Sequence, residues 1–223
     1  MMGQISSNLE RINGELPEGV RLVAVSKFHP VEKLREAYAA GQRRFGESRV
    51  QELIAKEPEM PADVEWHFIG HLQTNKVRQL IGRTALIESI DSERLLDMVD
   101  AESRRAGVVT RVLMQVHVAQ EETKFGFLPD ELLEYFKDRR FERLTSTHIC
   151  GVMGMASNTD DKKRVQADFA AIAKVYRRIL EVAPDLRGFD TLSMGMSDDW
   201  PLAVSEGSNM VRIGTAIFGN REY

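Results

Sequence analysis

Lys27 stands two residues past the apolar run 22–25 in a chain of 223 residues. A lysine at such a strand end can snorkel over the rim with its stem on the surface. It can also point into a mouth, where partial burial disfavours the ammonium form and gives the neutral amine that a Schiff base needs. Ser193-Met-Gly-Met-Ser197, followed by Asp198 and Asp199, and Arg212-Ile-Gly-Thr215 carry small residues at two further strand ends. There the backbone N–H groups of Gly214 and its neighbours can approach an anion while the hydroxyls of Ser193, Ser197 and Thr215 add donors; two ordinary glycine turns are the bland alternative. Arg212 lies inside an apolar strand and needs a partner, either a ligand or a carboxylate such as Glu47 or Glu206. Met153, Met155, Met194 and Met196 can line a pocket or fill a core. Lys124, in a loop over 124–127, can meet an incoming anion. His67 and His71 are four apart, but their segment reads as a strand, so they share no helical face and no metal site is expected.

These residues fall at the ends of a regular alternation. Short apolar or β-branched runs at 21–26, 44–46, 65–69, 85–90, 111–118, 147–153, 191–193 and 210–213 read as eight strands. Between them lie segments of helical period at 30–40, 49–56, 75–81, 91–107, 129–137, 159–181 and 201–205, with Pro30 and Pro129 at helix starts, Asp91 or Ser92 as a cap, and Gly41 and Gly107 at ends. One extra helix is expected near the N-terminus, over 5–12. Strand–helix alternation implies parallel strands with right-handed crossovers. Eight units predict an α/β fold, one (β/α)8 TIM-type barrel over residues 1–223, with its chemistry at the C-terminal strand ends and a phosphate pocket after strands seven and eight. An open doubly wound sheet is the alternative, weakened because no G-x-G-x-x-G follows the first strand.

Bulk properties narrow the class. Thirty basic against thirty-four acidic side chains give a net charge of -4, and the basic pairs are scattered, which excludes a general nucleic-acid or anionic-membrane surface. Cys150 is the single cysteine and sits in an apolar run, so it reads as a small buried hydrophobe rather than a nucleophile. With no leader-like N-terminus and no apolar stretch of about 18 residues, the expected location is the cytoplasm. A monomer is the expected state.

Several segments resemble the pyridoxal phosphate homeostasis protein family: Ala24-Val-Ser-Lys27, Phe45-Gly-Glu-Ser-Arg-Val-Gln-Glu52, Trp66-His-Phe-Ile-Gly-His-Leu-Gln-Thr-Asn-Lys76, Gly151-Val-Met-Gly-Met155, Leu192-Ser-Met-Gly-Met-Ser-Asp-Asp-Trp200 and Gly207-Ser-Asn-Met-Val-Arg-Ile-Gly-Thr-Ala-Ile-Phe-Gly219. The resemblance runs from about Arg21 to the end. It implies a barrel like the N-terminal domain of alanine racemase, with pyridoxal 5′-phosphate (PLP) as cofactor and Lys27 as the Schiff-base lysine. It further implies that Ser193, Ser197, Gly214 and Thr215 hold the phosphate and that Arg212 faces the pyridine nitrogen; Met194, from its pocket-lining position, and His67 are further candidates for the cofactor site. The family usually reads Gly-Glu-Asn-Arg; Ser48 replaces that Asn, and its shorter hydroxyl would act through water.

Two functions follow from the resemblance. In the first, the protein holds PLP without catalysis and exchanges it with apo-enzymes and free amino acids. Related enzymes add a second domain that supplies an opposite-face acid/base, and this chain stops at Tyr223, a few residues past the eighth strand. In the second it is a PLP-dependent amino-acid racemase, with His67 the best candidate for the second acid/base. A PLP-free Schiff-base lyase would use the same lysine and phosphate pocket but would be colourless.

Overall fold

The computed structural model describes residues 3–118 and 125–219; Lys124 lies outside them. Eight parallel strands form one closed barrel in sequence order: β1 (Arg21–Val25), β2 (Arg44–Glu47), β3 (Glu65–Phe68), β4 (Leu86–Ile90), β5 (Thr110–Val116), β6 (Thr147–Gly154), β7 (Thr191–Ser193) and β8 (Met210–Ile213). Closure comes from β1 lying against β8, with Arg21 opposite Met210 and Ala24 opposite Ile213. That register sets the loop after β1 beside the loop after β8, although nearly the whole chain separates them.

The helices are α1 (Gln4–Glu15), α2 (Val31–Ala39), α3 (Val50–Lys56), α4 (Val77–Leu80), α5 (Glu93–Ala106), α6 (Pro129–Lys137), α7 (Lys162–Val182), α8 (Trp200–Ser205) and α9 (Thr215–Phe218). Local signals set their ends. Ser92 caps α5 by accepting from the Leu95 amide at 3.3 Å, and Gly107 closes it in the left-handed region at φ 69°. Asp161 caps α7 through the amides of Lys163 and Arg164, so that helix starts later than its apolar period suggests. The helix expected over 75–81 is a 3₁₀ turn, Thr74–Lys76, running into the four residues of α4. α9 was not anticipated, because a single turn is too short to show a period. α1 packs against α2 and α9, buries Ile5, Leu9 and Ile12, and donates from Asn8 Nδ2 to the Ile217 carbonyl at 2.9 Å. It thereby fills the gap in the outer ring beside the short α9. Among the described residues no helix is long and apolar enough to cross a membrane.

Side chains alternate along each strand. The outward set, including Ala24, Phe45, Phe68, Ile87 and Val211, packs with the helices in one large core. The inward set forms its own cluster of Val23, Leu86, Leu113, Cys150, Met153 and Met210. Cys150 is fully buried there, as its apolar run implies.

Candidate functional site

Two residues further along the inward face, the barrel changes from apolar to polar. Leu86 is followed by Glu88 on β4 and Met210 by Arg212 on β8; His67 on β3 and Ser193 on β7 occupy the same level. All four are buried, Glu88 and Ser193 completely. Ser193 Oγ donates to Glu88 Oε2 at 2.6 Å and accepts from Arg212 Nη1 at 2.5 Å. His67 Nδ1 lies 2.6 Å from Glu88 Oε1, and Arg212 Nη1 lies 3.7 Å from Glu88 Oε2. Arg212 also donates to the Ser193 carbonyl at 2.9 Å and the Gly154 carbonyl at 3.0 Å. The carboxylate partner of Arg212 is therefore Glu88, not Glu47 or Glu206. Glu47 is tied to Ser26 and Lys56, and Glu206 accepts from Gln166 on the surface.

Burial by itself would raise the Glu88 carboxyl. The hydrogen bond from His67, the charge of Arg212 and the Ser193 hydroxyl together outweigh it and hold the group below its ordinary value. Burial pulls the Arg212 guanidinium down against the charges of Glu88 and Asp199, yet an arginine remains charged.

Above this layer opens a cavity of about 220 Å³ at the C-terminal strand ends, lined by Val25, Lys27, His29, Ile69, Met155, Met196, Ser197, Asp198, Arg212, Gly214 and Thr215. β1 stops at Val25, so Lys27 belongs to the loop beyond rather than to the strand. On the opposite side, Ser197 Oγ accepts from the amides of Gly214 at 3.3 Å and Ala216 at 3.5 Å. Those amides open α9, and they converge with a hydroxyl on one point of the cavity wall. Such a cluster of donors suits a phosphate. An amine, a donor-only guanidinium and an anion cradle thus share one cavity, and the residues present have the chemistry to hold PLP.

The structure brings together Lys27, Ser197, Arg212, Gly214 and Thr215 from the sequence-based set, with Met155 and Met196. It does not bring Ser193, His67, Met194 or Ser48 to that wall. Ser193 and His67 point inward but are bonded to Glu88 beneath the cavity and do not line it. Met194 points outward from its strand end into the helix-facing core, where its amide meets Ser208 Oγ at 3.2 Å. Ser48 lines a separate cavity with Arg49, Phe68, His71, Gln73 and Lys76. His67 and His71 part company: His71 Nδ1 lies 2.8 Å from Asp91 and its ring stacks on Phe125, centroids 3.6 Å apart.

Three site residues were missed in the sequence. Glu88 had a signal, a carboxylate inside the apolar stretch Leu86–Ile90. His29 had one too, sharing the loop of Lys27. Asp198 was noted only as part of a helix start.

The chain is similar to known proteins over nearly its whole length. The model of the family described as alanine racemase, N-terminal domain, matches residues 2–222. A pyridoxal phosphate homeostasis protein of Pasteurella multocida is 36% identical over 230 residues, covering 100% of this chain and 97% of the relative. One from Schizosaccharomyces pombe is 38% identical, covering 99% of this chain and 94% of its own. The structure of PipY from Synechococcus elongatus with PLP bound superposes with a TM-score of 0.89 at 39% identity, over 96% of this chain and 100% of that one.

Proposed function

Because the chain belongs to the pyridoxal phosphate homeostasis protein family, built on the alanine racemase N-terminal domain, we propose that it binds PLP covalently through Lys27. We further propose that it serves intracellular vitamin B6 and amino-acid homeostasis in the cytoplasm, as one barrel unit and a monomer, without turning over a substrate. The observation that carries this reading is the convergence of Lys27, Arg212 and the Ser197–Gly214–Thr215 cradle on one cavity. The PLP-bound PipY relative supports it.

When bound, PLP supplies an aldehyde that condenses with an amine, releasing water. The rest is done by the chain. Lys27 offers the amine from a loop at the cavity that Val25 and Met155 also line. The amides of Gly214 and Ala216, with the hydroxyls of Ser197 and Thr215, are placed to hydrogen-bond and orient a phosphate. Arg212 can only donate, so a pyridine nitrogen facing it stays unprotonated and the ring is a weaker electron sink.

A racemase needs two acid/base groups on opposite faces. His67, the sequence-based candidate for the second, is 3% exposed and hydrogen-bonded to Glu88 beneath the cavity. This favours a holder of PLP that exchanges it with free amino acids and apo-enzymes.

The test is the absorbance spectrum of the purified protein with PLP, followed by borohydride reduction and mass spectrometry, for wild type and Lys27→Ala. The wild type should carry a reducible adduct on Lys27 and the variant none. No D-alanine should form from L-alanine. Racemisation that disappears in Lys27→Ala would overturn the non-catalytic reading.

A further inference from the structure

The loop that carries Lys27 is held by a buried charge cluster on the outer side of the barrel wall. We propose that Glu52 and Lys56 of α3, with Glu47 of β2, form a clamp on both peptide groups flanking Lys27 and so aim its amine into the cavity; this rests on the reading of Lys27 as the residue that bonds PLP. Lys56 is 6% exposed. Its Nζ donates to the Ser26 carbonyl at 2.9 Å, to Glu47 Oε1 at 2.8 Å and to Glu52 Oε1 at 2.7 Å. Glu52 Oε1 in turn accepts from the Phe28 amide at 2.6 Å, and Ser26 Oγ donates to Glu47 Oε1 at 2.6 Å.

The Ser26 carbonyl belongs to the peptide entering Lys27, and the Phe28 amide to the peptide leaving it. One ion pair, an i,i+4 couple on a single helical face, therefore fixes both planes and with them the direction of the Lys27 Cα–Cβ bond. Phe28 shows that the loop is held rather than relaxed. It sits at φ 68°, in the left-handed region that non-glycine residues rarely adopt. Its ring lies under the Arg49 guanidinium, 4.7 Å from the centroid. Arg49, Glu52 and Lys56 all come from the start or body of α3, so this helix, which adds nothing to the cavity wall, sets the geometry of the residue that reacts there. These are positioning residues: none of the three clamp side chains lines the cavity.

The experiment follows the rate at which added PLP forms its adduct in apo-protein, for wild type, Glu52→Ala, Glu52→Gln and Lys56→Met, alongside urea midpoints. Glu52→Ala and Lys56→Met should slow adduct formation by roughly tenfold or more, the size of a lost charge-assisted hydrogen bond combined with misorientation. Glu52→Gln, whose amide oxygen still accepts from Phe28, should fall between them and wild type. A merely structural role would lower the urea midpoint and leave the rate of the folded protein unchanged; that result overturns the clamp. The wild type supplies an arm needing no substitution: the Phe28 amide should exchange with deuterium far more slowly than an open loop amide, and fast exchange also overturns it. If the wild type forms no adduct on Lys27, the covalent reading itself fails, while the exchange of Phe28 still decides whether the loop is clamped.

Discussion

A carboxylate inside a barrel is costly unless both oxygens are used, and Glu88 uses both, one toward His67 and one toward Ser193 and Arg212. Removing it strands a guanidinium that is 4% exposed. Glu88→Ala should therefore lower stability by about 3–5 kcal/mol, the usual cost of breaking a buried pair from one side, read from urea midpoints; Glu88→Gln should cost less. The pH dependence has a definite sign. Glu88 is held below its ordinary value of 4.5, so its contribution is fully present above that value and lost as pH falls through the depressed one. Glu47 goes the other way. Burial pushes it up, against the charge and hydrogen bond of Lys56, and its contribution is lost as pH rises through the raised value. Urea midpoints measured below about pH 5 should thus fall less steeply in Glu88→Gln than in wild type; equal slopes would contradict the assignment. At this scale the sequence was half legible. The sharing of one cavity by Lys27, Ser197, Arg212, Gly214 and Thr215 was legible because four of them follow strand ends and Arg212 is a charge inside an apolar strand. Glu88 pairs with Arg212 across the barrel interior, a contact between non-adjacent strands that no local spacing encodes. The same holds for Lys56, whose partners Ser26 and Glu47 lie on two other elements.

The segment from β7 into α8 shows how an element is shaped by one small residue. Gly195 has φ 94°, and a Cβ there would stand 2.8 Å from both Ala203 Cβ and Trp200 Cα. Its carbonyl also accepts from the Arg212 amide at 3.0 Å. Gly195→Ala should cost about 1–3 kcal/mol from overpacking, with the unfavourable φ added, and should displace Ser197 from the amides of Gly214 and Ala216. The measurable result is a lower urea midpoint together with weaker affinity for PLP. An unchanged affinity would show that the Ser197 cradle does not depend on this close approach. Elements were the most legible level, because period two and period 3.6 alternate cleanly along the chain. The departures share one cause, the dominance of tertiary context over short local pattern. α9 is one turn; the 74–80 stretch is split between 3₁₀ and α; β1 ends at Val25, and the Ser26 carbonyl beyond it accepts from Lys56. α1 was visible as an amphipathic helix, but its place between α2 and α9 depends on how the ring closes.

Closure makes the whole molecule respond as a unit, since every strand is bonded to two neighbours and no sheet edge remains. The seam between β1 and β8 joins the two ends of the chain, and the proposed ligand would span it: Lys27 lies on the β1 side, Gly214 and Thr215 on the β8 side. A ligand that binds only the folded state stabilises it by about 2.7 kcal/mol at a hundred times its Kd. For a chain of this length each kcal/mol moves Tm by about 2–4 °C, so saturating PLP should raise Tm by roughly 5–10 °C, with the rise growing logarithmically in ligand concentration. Inorganic phosphate fills only the cradle formed by Ser197, Gly214 and Thr215, and should give a smaller shift. Lys27→Ala keeps the cradle and Arg212 but loses the bond across the seam, and its shift with PLP should fall toward the phosphate value. If PLP stabilises Lys27→Ala as much as wild type, the stabilisation comes from the anion and ring contacts alone, and the covalent link contributes nothing to holding the barrel shut.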